Sequence, residues 1–270
     1  MPKLSLQLCI INSILKEQPT INPLDWLYPP TCMACRTLLP LNNKPQRDLW
    51  LCTRCQELFE PVTAPMCNKC GMPTENPVEK CSSCYSKTLH FNQNRAAFTY
   101  NELMRDMMHE LKFRNKKYIA QGLGRLWAHL LQEICYTSTI TDIANYIFVP
   151  LPMHKKKQKE RGFNQAEILT TELSKALKIP AESTLERILD TPPQSGLHPQ
   201  LRAENVEGVF TISPNFNPAG KSYILIDDIY TTGASLNECA RTLKNAGAYN
   251  ILCMTLAITV KTTNDNQSIM

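Results

Sequence analysis

Apolar positions along this chain alternate between two rhythms. Ile224, Leu225 and Ile226 form a short continuous run, as expected of a strand buried on both faces. Residues 146–149 and 251–258 have the same character, 184–189 and 206–210 are further candidate strands, and 91–100 reads as extended. Between them the spacing changes to three and four. Met104, Met107, Met108 and Leu111 line one face of a helix that Asn101 would cap and that ends at Phe113. Residues 119–134 and 163–177 predict two more helices. Leu236, Ala240 and Leu243 belong to another, which opens at Ala234 and closes at Ala246–Gly247. Strands alternating with helices predict an α/β fold, a mostly parallel sheet covered on both faces. Residues 191–205, rich in Pro, Gln, Gly and His, read as a loop.

The chemistry concentrates where the 224–226 run ends. The order Y-I-L-I-D-D-I-Y-T-T-G-A-S, from Tyr223 to Ser235, puts two acids and a Thr/Gly loop between the carboxyl end of a strand and a helix N-terminus. Open α/β sheets bind ligands there, and the helix end attracts phosphate. Thr231, Thr232 and Ser235 supply hydroxyls, and Gly233 lets the backbone approach an anion. Asp227 and Asp228 suit sugar hydroxyls, or Mg²⁺ directly or through water. A phosphate cradle beside a diol clamp fits a ribose 5-phosphate.

Eight of the 12 cysteines form C-x-x-C pairs: Cys32/Cys35, Cys52/Cys55, Cys67/Cys70 and Cys81/Cys84. Two such turns complete a tetrahedral four-cysteine site, so four turns imply two structural Zn²⁺ ions. The simplest assignment joins neighbouring pairs; interleaving alternate pairs is the other arrangement the spacing permits. With no convincing export signal, disulfides are disfavoured, and a redox C-x-x-C would occur once. Residues 25–90 are too short and polar to build much core, so metal binding would supply most of their folding free energy. Cys9, Cys135, Cys239 and Cys253 read as small apolar residues.

Composition sets the bounds. A chain of 270 residues with 43% hydrophobic content holds one or two globular domains. No apolar run reaches membrane-spanning length, which predicts a cytoplasmic protein with no membrane insertion. The first 15 residues lack a cleavage site, and Leu4, Leu8, Ile11 and Leu15 share a helical face, suggesting a short docking helix or a loose extension. The net charge of +5 is modest, but Lys155, Lys156, Lys157, Lys159 and Arg161 crowd one segment. Arg105, Lys112, Arg114, Lys116 and Lys117 form a second group.

The segment from Tyr223 to Ser235 resembles the phosphoribosyl pyrophosphate (PRPP) motif of type I phosphoribosyltransferases. The resemblance implies that Asp227 and Asp228 bind the ribose hydroxyls and that Tyr230, Thr231, Thr232, Gly233, Ala234 and Ser235 hold the 5′-phosphate, with Mg²⁺ accompanying PRPP. The earlier stretch V-P-L-P-M-H-K-K-K-Q-K-E-R-G-F-N-Q begins at a strand end, where a loop would meet pyrophosphate. Its candidates are Pro150, Leu151, Pro152, Lys155 and Arg161, with Lys112 and Arg202 as anion contacts or plain surface charges. The R-G-F-N-Q motif, L-K-F-R at 111–114, Y-P-P-x-C-x-x-C and R-x-x-N-V-x-G-V-F add to this. Together they resemble the ComF/GntX-type family of competence-associated phosphoribosyltransferase-like proteins, over nearly the whole chain from Trp26 to Val260.

That resemblance implies a type I phosphoribosyltransferase-like sheet behind a double zinc ribbon. The expected division is an extension at 1–24, ribbons at 25–90, the larger domain at 91–263 and a tail at 264–270. It further implies PRPP and single-stranded DNA as partners in natural transformation, with competence proteins as possible ones. Phe163, Trp50 and Tyr85 are candidates for stacking on bases. Thr231 stands where hypoxanthine–guanine enzymes carry an acid, which argues against that substrate class. The alternatives are an active phosphoribosyltransferase on an unidentified acceptor and a non-catalytic zinc-dependent scaffold.

Overall fold

The computed structural model describes residues 28–40, 50–137, 143–191 and 205–260, with the side chains of 133–137 left aside. The expectations set on residues 1–24, on Arg202 with most of the 191–205 loop, and on the 264–270 tail lie outside the described residues, as do the side chains of Cys9 and Cys135.

Two short helices, α1 (Thr53–Glu57) and α2 (Ser82–Tyr85), sit among the cysteine pairs. Strand β1 (Gln93–Thr99) leads into α3 (Glu102–Phe113), whose cap is the predicted one: the Asn101 side chain accepts from the Met104 N–H at 3.1 Å. All four residues of the Met/Leu stripe on α3 are buried. Then follow α4 (Lys117–Thr137), β2 (Tyr146–Pro150), α5 (Lys155–Arg161), α6 (Gln165–Leu177), β3 (Leu185–Arg187), β4 (Phe210–Ile212), β5 (Ser222–Tyr230), α7 (Ala234–Asn245) and β6 (Asn250–Ile258). Strands β1, β6, β5 and β2 form, in that order, a fully parallel four-stranded sheet.

Three elements differ from the sequence expectation. The basic segment Lys155–Arg161 is a helix, not a loop. Lys, Gln, Glu and Arg are strong helix formers, and Gly162 at φ +77° ends the helix by donating its N–H to the Gln158 carbonyl at 2.7 Å. The expected strand at 206–210 is a turn that delays β4 to Phe210, because Gly208 adopts φ +68° and breaks the extended run. Strand β5 runs four residues past the apolar triplet, so both acids lie within the strand.

The sheet divides two cores, and alternation along β5 assigns residues to each. Ile224 and Ile226 pack with α3, α4 and α6, while Tyr223 and Leu225 pack with α7. The cysteine-rich modules are built into these cores. Cys32, Met33, Leu39, Leu51 and Cys55 belong to the first, and Cys67, Cys70 and Cys84 to the second. Arg36 pairs with Glu110 on α3 at 2.7 Å, and the Arg125 guanidinium lies 4.6 Å from the Trp50 ring centroid. On the other side, Asn94 of β1 donates its side-chain N–H to the Cys70 carbonyl at 2.9 Å and its backbone N–H to the Lys69 carbonyl at 2.8 Å.

Gly71 shows how tight that second junction is. It adopts φ +74°, and a Cβ there would stand 2.7 Å from the Asn94 carbonyl oxygen. Gly71→Ala is therefore expected to lower stability by about 2–4 kcal/mol, combining left-handed strain with a backbone clash. Gly220→Ala, also left-handed at φ +72° but facing open space, should cost only about 1 kcal/mol. Chemical denaturation of the zinc-replete variants measures both, and equal losses would contradict this packing.

Candidate functional site

Both acids sit at the carboxyl end of β5, and adjacency in a strand sends them to opposite faces. Asp228 is only 6% exposed, on the side of α3 and α6. One oxygen accepts the Ile229 N–H at 2.8 Å; the other accepts Lys112 Nζ at 2.6 Å and Gln165 Nε2 at 3.2 Å. Burial alone would raise its pKa, but the Lys112 ammonium overrides that and holds Asp228 below the usual carboxylate range. The same pairing lifts Lys112 above the usual lysine range against the opposing effect of its own burial. Lys112 is thus neither a loose surface charge nor an unengaged anion contact: it is the counter-ion of Asp228.

Asp227 turns to the α7 side, where its Oδ1 accepts the Asp228 N–H at 2.8 Å. Burial, then the adjacent Asp228 carboxylate, push Asp227 well above the usual range. Cys239 and Cys253 are fully buried core residues, as their spacing predicts. Burial first, and the Asp227 charge second, push their thiols up.

Each residue of R-G-F-N-Q has a distinct job. Arg161 donates to Gln165 Oε1 at 2.8 Å, Gly162 ends α5, and Phe163 is buried in the first core. Asn164 caps α6 by accepting the Ala166 N–H at 3.0 Å, and its amide donates to the Leu151 carbonyl at 2.9 Å. Gln165 then reaches Asp228. Burial lowers the Arg161 pKa, while the Asp228 charge works in the other direction. Buried Phe163 has no face for a nucleobase, and Trp50 is engaged with Arg125, whereas Tyr85 is 75% exposed.

The Thr231–Ser235 loop follows β5 directly. Thr231 is exposed, Thr232 and Ser235 are partly buried, and Gly233 takes φ +75° as the N-cap of α7. Tyr230, grouped with the phosphate contacts in the sequence reading, is buried beneath the loop: a Cβ on Gly233 would meet its hydroxyl oxygen at 2.5 Å. The alternation of β5 slips after Asp228, so that Ile229 joins the first core and Tyr230 the second.

The Pro150–Pro152 turn cannot greet an anion with backbone amides. Two of its residues are prolines, and the Leu151 N–H already donates to the Ile226 carbonyl at 2.9 Å. The neighbouring lysines are also engaged. Lys155 lies 3.9 Å from Glu186, and Lys156 and Lys157 lie 3.6 and 3.8 Å from Asp190.

The sequence reading did not assign Gln165, Lys87 or Asn237 to the site. Gln165 was visible inside a motif. Lys87 and Asn237 carried no signal, since their partners are about 150 residues away: Lys87 Nζ donates to the Thr232 carbonyl at 3.0 Å, and Asn237 bonds the backbone of residues 88 and 90.

The eight paired cysteines gather into two sets, Cys32/Cys35/Cys52/Cys55 and Cys67/Cys70/Cys81/Cys84, with the sulfurs of each set within 4.8 Å of one another. Neighbouring pairs therefore combine, and interleaving is excluded. The Cys35–Cys52 and Cys70–Cys81 sulfur separations of 3.6 and 3.7 Å fit the edge of a tetrahedron with about 2.3 Å zinc–sulfur bonds. Burial pushes the Cys84 thiol up, and a cation in the site would favour its thiolate form.

Comparison with known proteins agrees with this geometry. Residues 23–85 match the double zinc ribbon domain, and residues 160–268 match the phosphoribosyl transferase domain. Competence protein F of Haemophilus influenzae is 27% identical, across 84% of this chain and 96% of that protein. Competence protein ComFC of Bacillus subtilis is 30% identical, across 74% and 80% respectively, and the DNA utilization protein YhgH of Escherichia coli K12 is 28% identical, across 84% and 98%. Among solved structures, the glutamine PRPP amidotransferase of B. subtilis is 17% identical with a TM-score of 0.35; the match covers 55% of this chain and only 30% of that enzyme. With both domain matches in order and a 30% identical relative covered over most of its length, the chain belongs to the ComF family, type I phosphoribosyltransferase-like proteins with an N-terminal double zinc ribbon.

Proposed function

We propose that this protein binds PRPP at the β5–α7 junction and acts in the handling of single-stranded DNA during natural transformation. The observation that carries the first half is the Asp227–Asp228 pair. Asp228 is held ionised by Lys112 and oriented by Gln165 directly before a Thr/Gly loop that opens a 12-residue helix. An ionised, fixed carboxylate accepts hydroxyl donors well, and the loop lies one strand-end away from it, as ribose and 5′-phosphate require. In this reading Thr231, Thr232, Gly233, Ala234 and Ser235 hold the phosphate, while Tyr230 supports them from below. Arg161, half-buried beside the acids, is the pyrophosphate contact we favour over the Pro150–Pro152 turn. Mg²⁺, when bound with PRPP, would offset pyrophosphate charge and sit near Asp227 and Asp228.

The DNA half is supported by the names of the relatives, which refer to competence and DNA utilization. A cytoplasmic location fits that role, and among the described residues no helix is long and apolar enough to cross a membrane. We assign residues 25–90 to the ribbons and 91–263 to the PRPP-binding domain, with competence proteins as further partners. A second reading is pentosyl transfer to an acceptor. The acceptor would attack C1 of PRPP, and pyrophosphate would leave with the bonding electron pair. The protein's share would be positioning and electrostatics, which the fixed acids and Arg161 suit.

Three outcomes are expected. Calorimetric titration with PRPP and Mg²⁺ should give saturable binding that Asp227→Asn with Asp228→Asn abolishes in a folded protein; unchanged affinity would sink the site assignment. Metal analysis should return two zinc ions per chain, and Cys67→Ser should lose one of them and unfold its ribbon; iron, or folded protein without metal, would refute the ribbons' role. Single-strand DNA binding should weaken steeply with salt, and neutralising Lys155, Lys156 and Lys157 together should flatten that slope. A slope unaffected by the triple change would move the DNA contact elsewhere.

A further inference from the structure

Two features of the molecule converge on the phosphate loop from outside the phosphoribosyltransferase fold, and both come from the second cysteine module. Lys87 lies three residues after the zinc ligand Cys84, and its N–H donates to the Cys84 carbonyl at 3.4 Å. Its Nζ donates to the Thr232 carbonyl at 3.0 Å. In a planar trans peptide the C=O and the following N–H point in opposite directions. Anchoring the Thr232 oxygen therefore aims the Gly233 N–H away from Lys87, to the other side of the loop. Next to it, the His90 N–H donates to Asn237 Oδ1 at 2.7 Å, and Asn237 Nδ2 donates to the Thr88 carbonyl at 2.9 Å. Asn237 belongs to the first turn of α7, with its own N–H on the Gly233 carbonyl at 2.8 Å.

The second feature acts from beneath. Tyr230 shares one buried cluster with Cys67, Cys70 and Cys84, and its ring leaves room only for a glycine at 233. The loop is thus held from one side by Lys87 and Asn237 and from below by a tyrosine in the same buried cluster as the ribbon's cysteines. The first module has a different set of contacts: Arg36 goes to α3, and Met33 and Trp50 go to α4 around Gly122.

We propose that the second zinc ribbon is the outer half of the ribose-phosphate site. It holds the Thr232–Gly233 peptide in binding geometry, with Lys87 and Asn237 as positioning residues. This rests on the ribose-phosphate reading above. It makes ligand affinity depend on zinc at Cys67, Cys70, Cys81 and Cys84, because residues 87–90 leave that ribbon immediately after its last ligand.

The test uses the zinc-replete full chain as wild type, Lys87→Met, Lys87→Arg and Asn237→Leu. Each is titrated with ribose 5-phosphate and with PRPP–Mg²⁺, and the Gly233 amide is followed in ¹⁵N–¹H spectra. Lys87→Met and Asn237→Leu should each weaken both ligands about tenfold, as expected for losing a charge-assisted bond in the one case and a part-buried bond with its exposed companion in the other. The Gly233 resonance should move before ligand is added, while zinc content and melting temperature stay at wild-type values. Lys87→Arg, which keeps a cationic donor, should recover most of the affinity. Lys87→Met binding ribose 5-phosphate as tightly as wild type, with the Gly233 resonance unmoved, would overturn the coupling and leave the PRPP site standing. A wild type that binds neither ligand would overturn both, and is told apart because it involves no variant.

Discussion

The site depends on one ion pair. Asp228 sits in a strand with no exposed face, and an unpaired carboxylate there would be strongly destabilising. Lys112 supplies the charge and Gln165 a further donor. Those two residues come from helices on the same side of the sheet, so α3 and α6 must both dock in register for either to reach. The stripe of Met104, Met107, Met108 and Leu111 seats α3 so that its last turn carries Lys112 to the acid. Asn164 fixes the start of α6 one residue before Gln165. The core packing and the electrostatics of the site are therefore one construction.

The cysteine modules extend that construction. Each is shared with a different core, so the sheet edge at β1 stands between two metal-binding units. The first steadies α3 and α4, the helices behind Lys112. The second abuts β1, shares the buried cluster of Tyr230 and bonds the Thr231–Ser235 loop. A module too small to fold on its own burial thereby gains stability from the larger domain and, in return, hydrogen-bonds the Thr231–Ser235 loop and the first turn of α7.

Much of this was legible in the sequence, for identifiable reasons. The parallel sheet followed from the apolar runs, α3 from its stripe and the Asn101 cap, and two four-cysteine sites from paired C-x-x-C spacing, although which pairs combine had to come from the fold. The basic segment was misread, because the strand end before it suggested a loop facing pyrophosphate while helix propensity and Gly162 made a short helix. Strand β4 was misplaced because Gly208 interrupts a run that looks extended. Tyr230 reads as part of a loop motif until the slip after Asp228 turns it into the second core. Lys87 and Asn237 were illegible, since each is defined by a partner that only the fold brings near. Lys112 could be named from its motif, but its pairing with Asp228 could not.

The most direct measurement is a crystal structure of the zinc-replete protein with ribose 5-phosphate. The phosphate is expected on the Thr231–Ser235 loop, the sugar hydroxyls on Asp227 and Asp228, and Lys87 still bonded to the Thr232 carbonyl. Ribose 5-phosphate bound elsewhere on the protein, with the loop and both acids untouched, would contradict this arrangement.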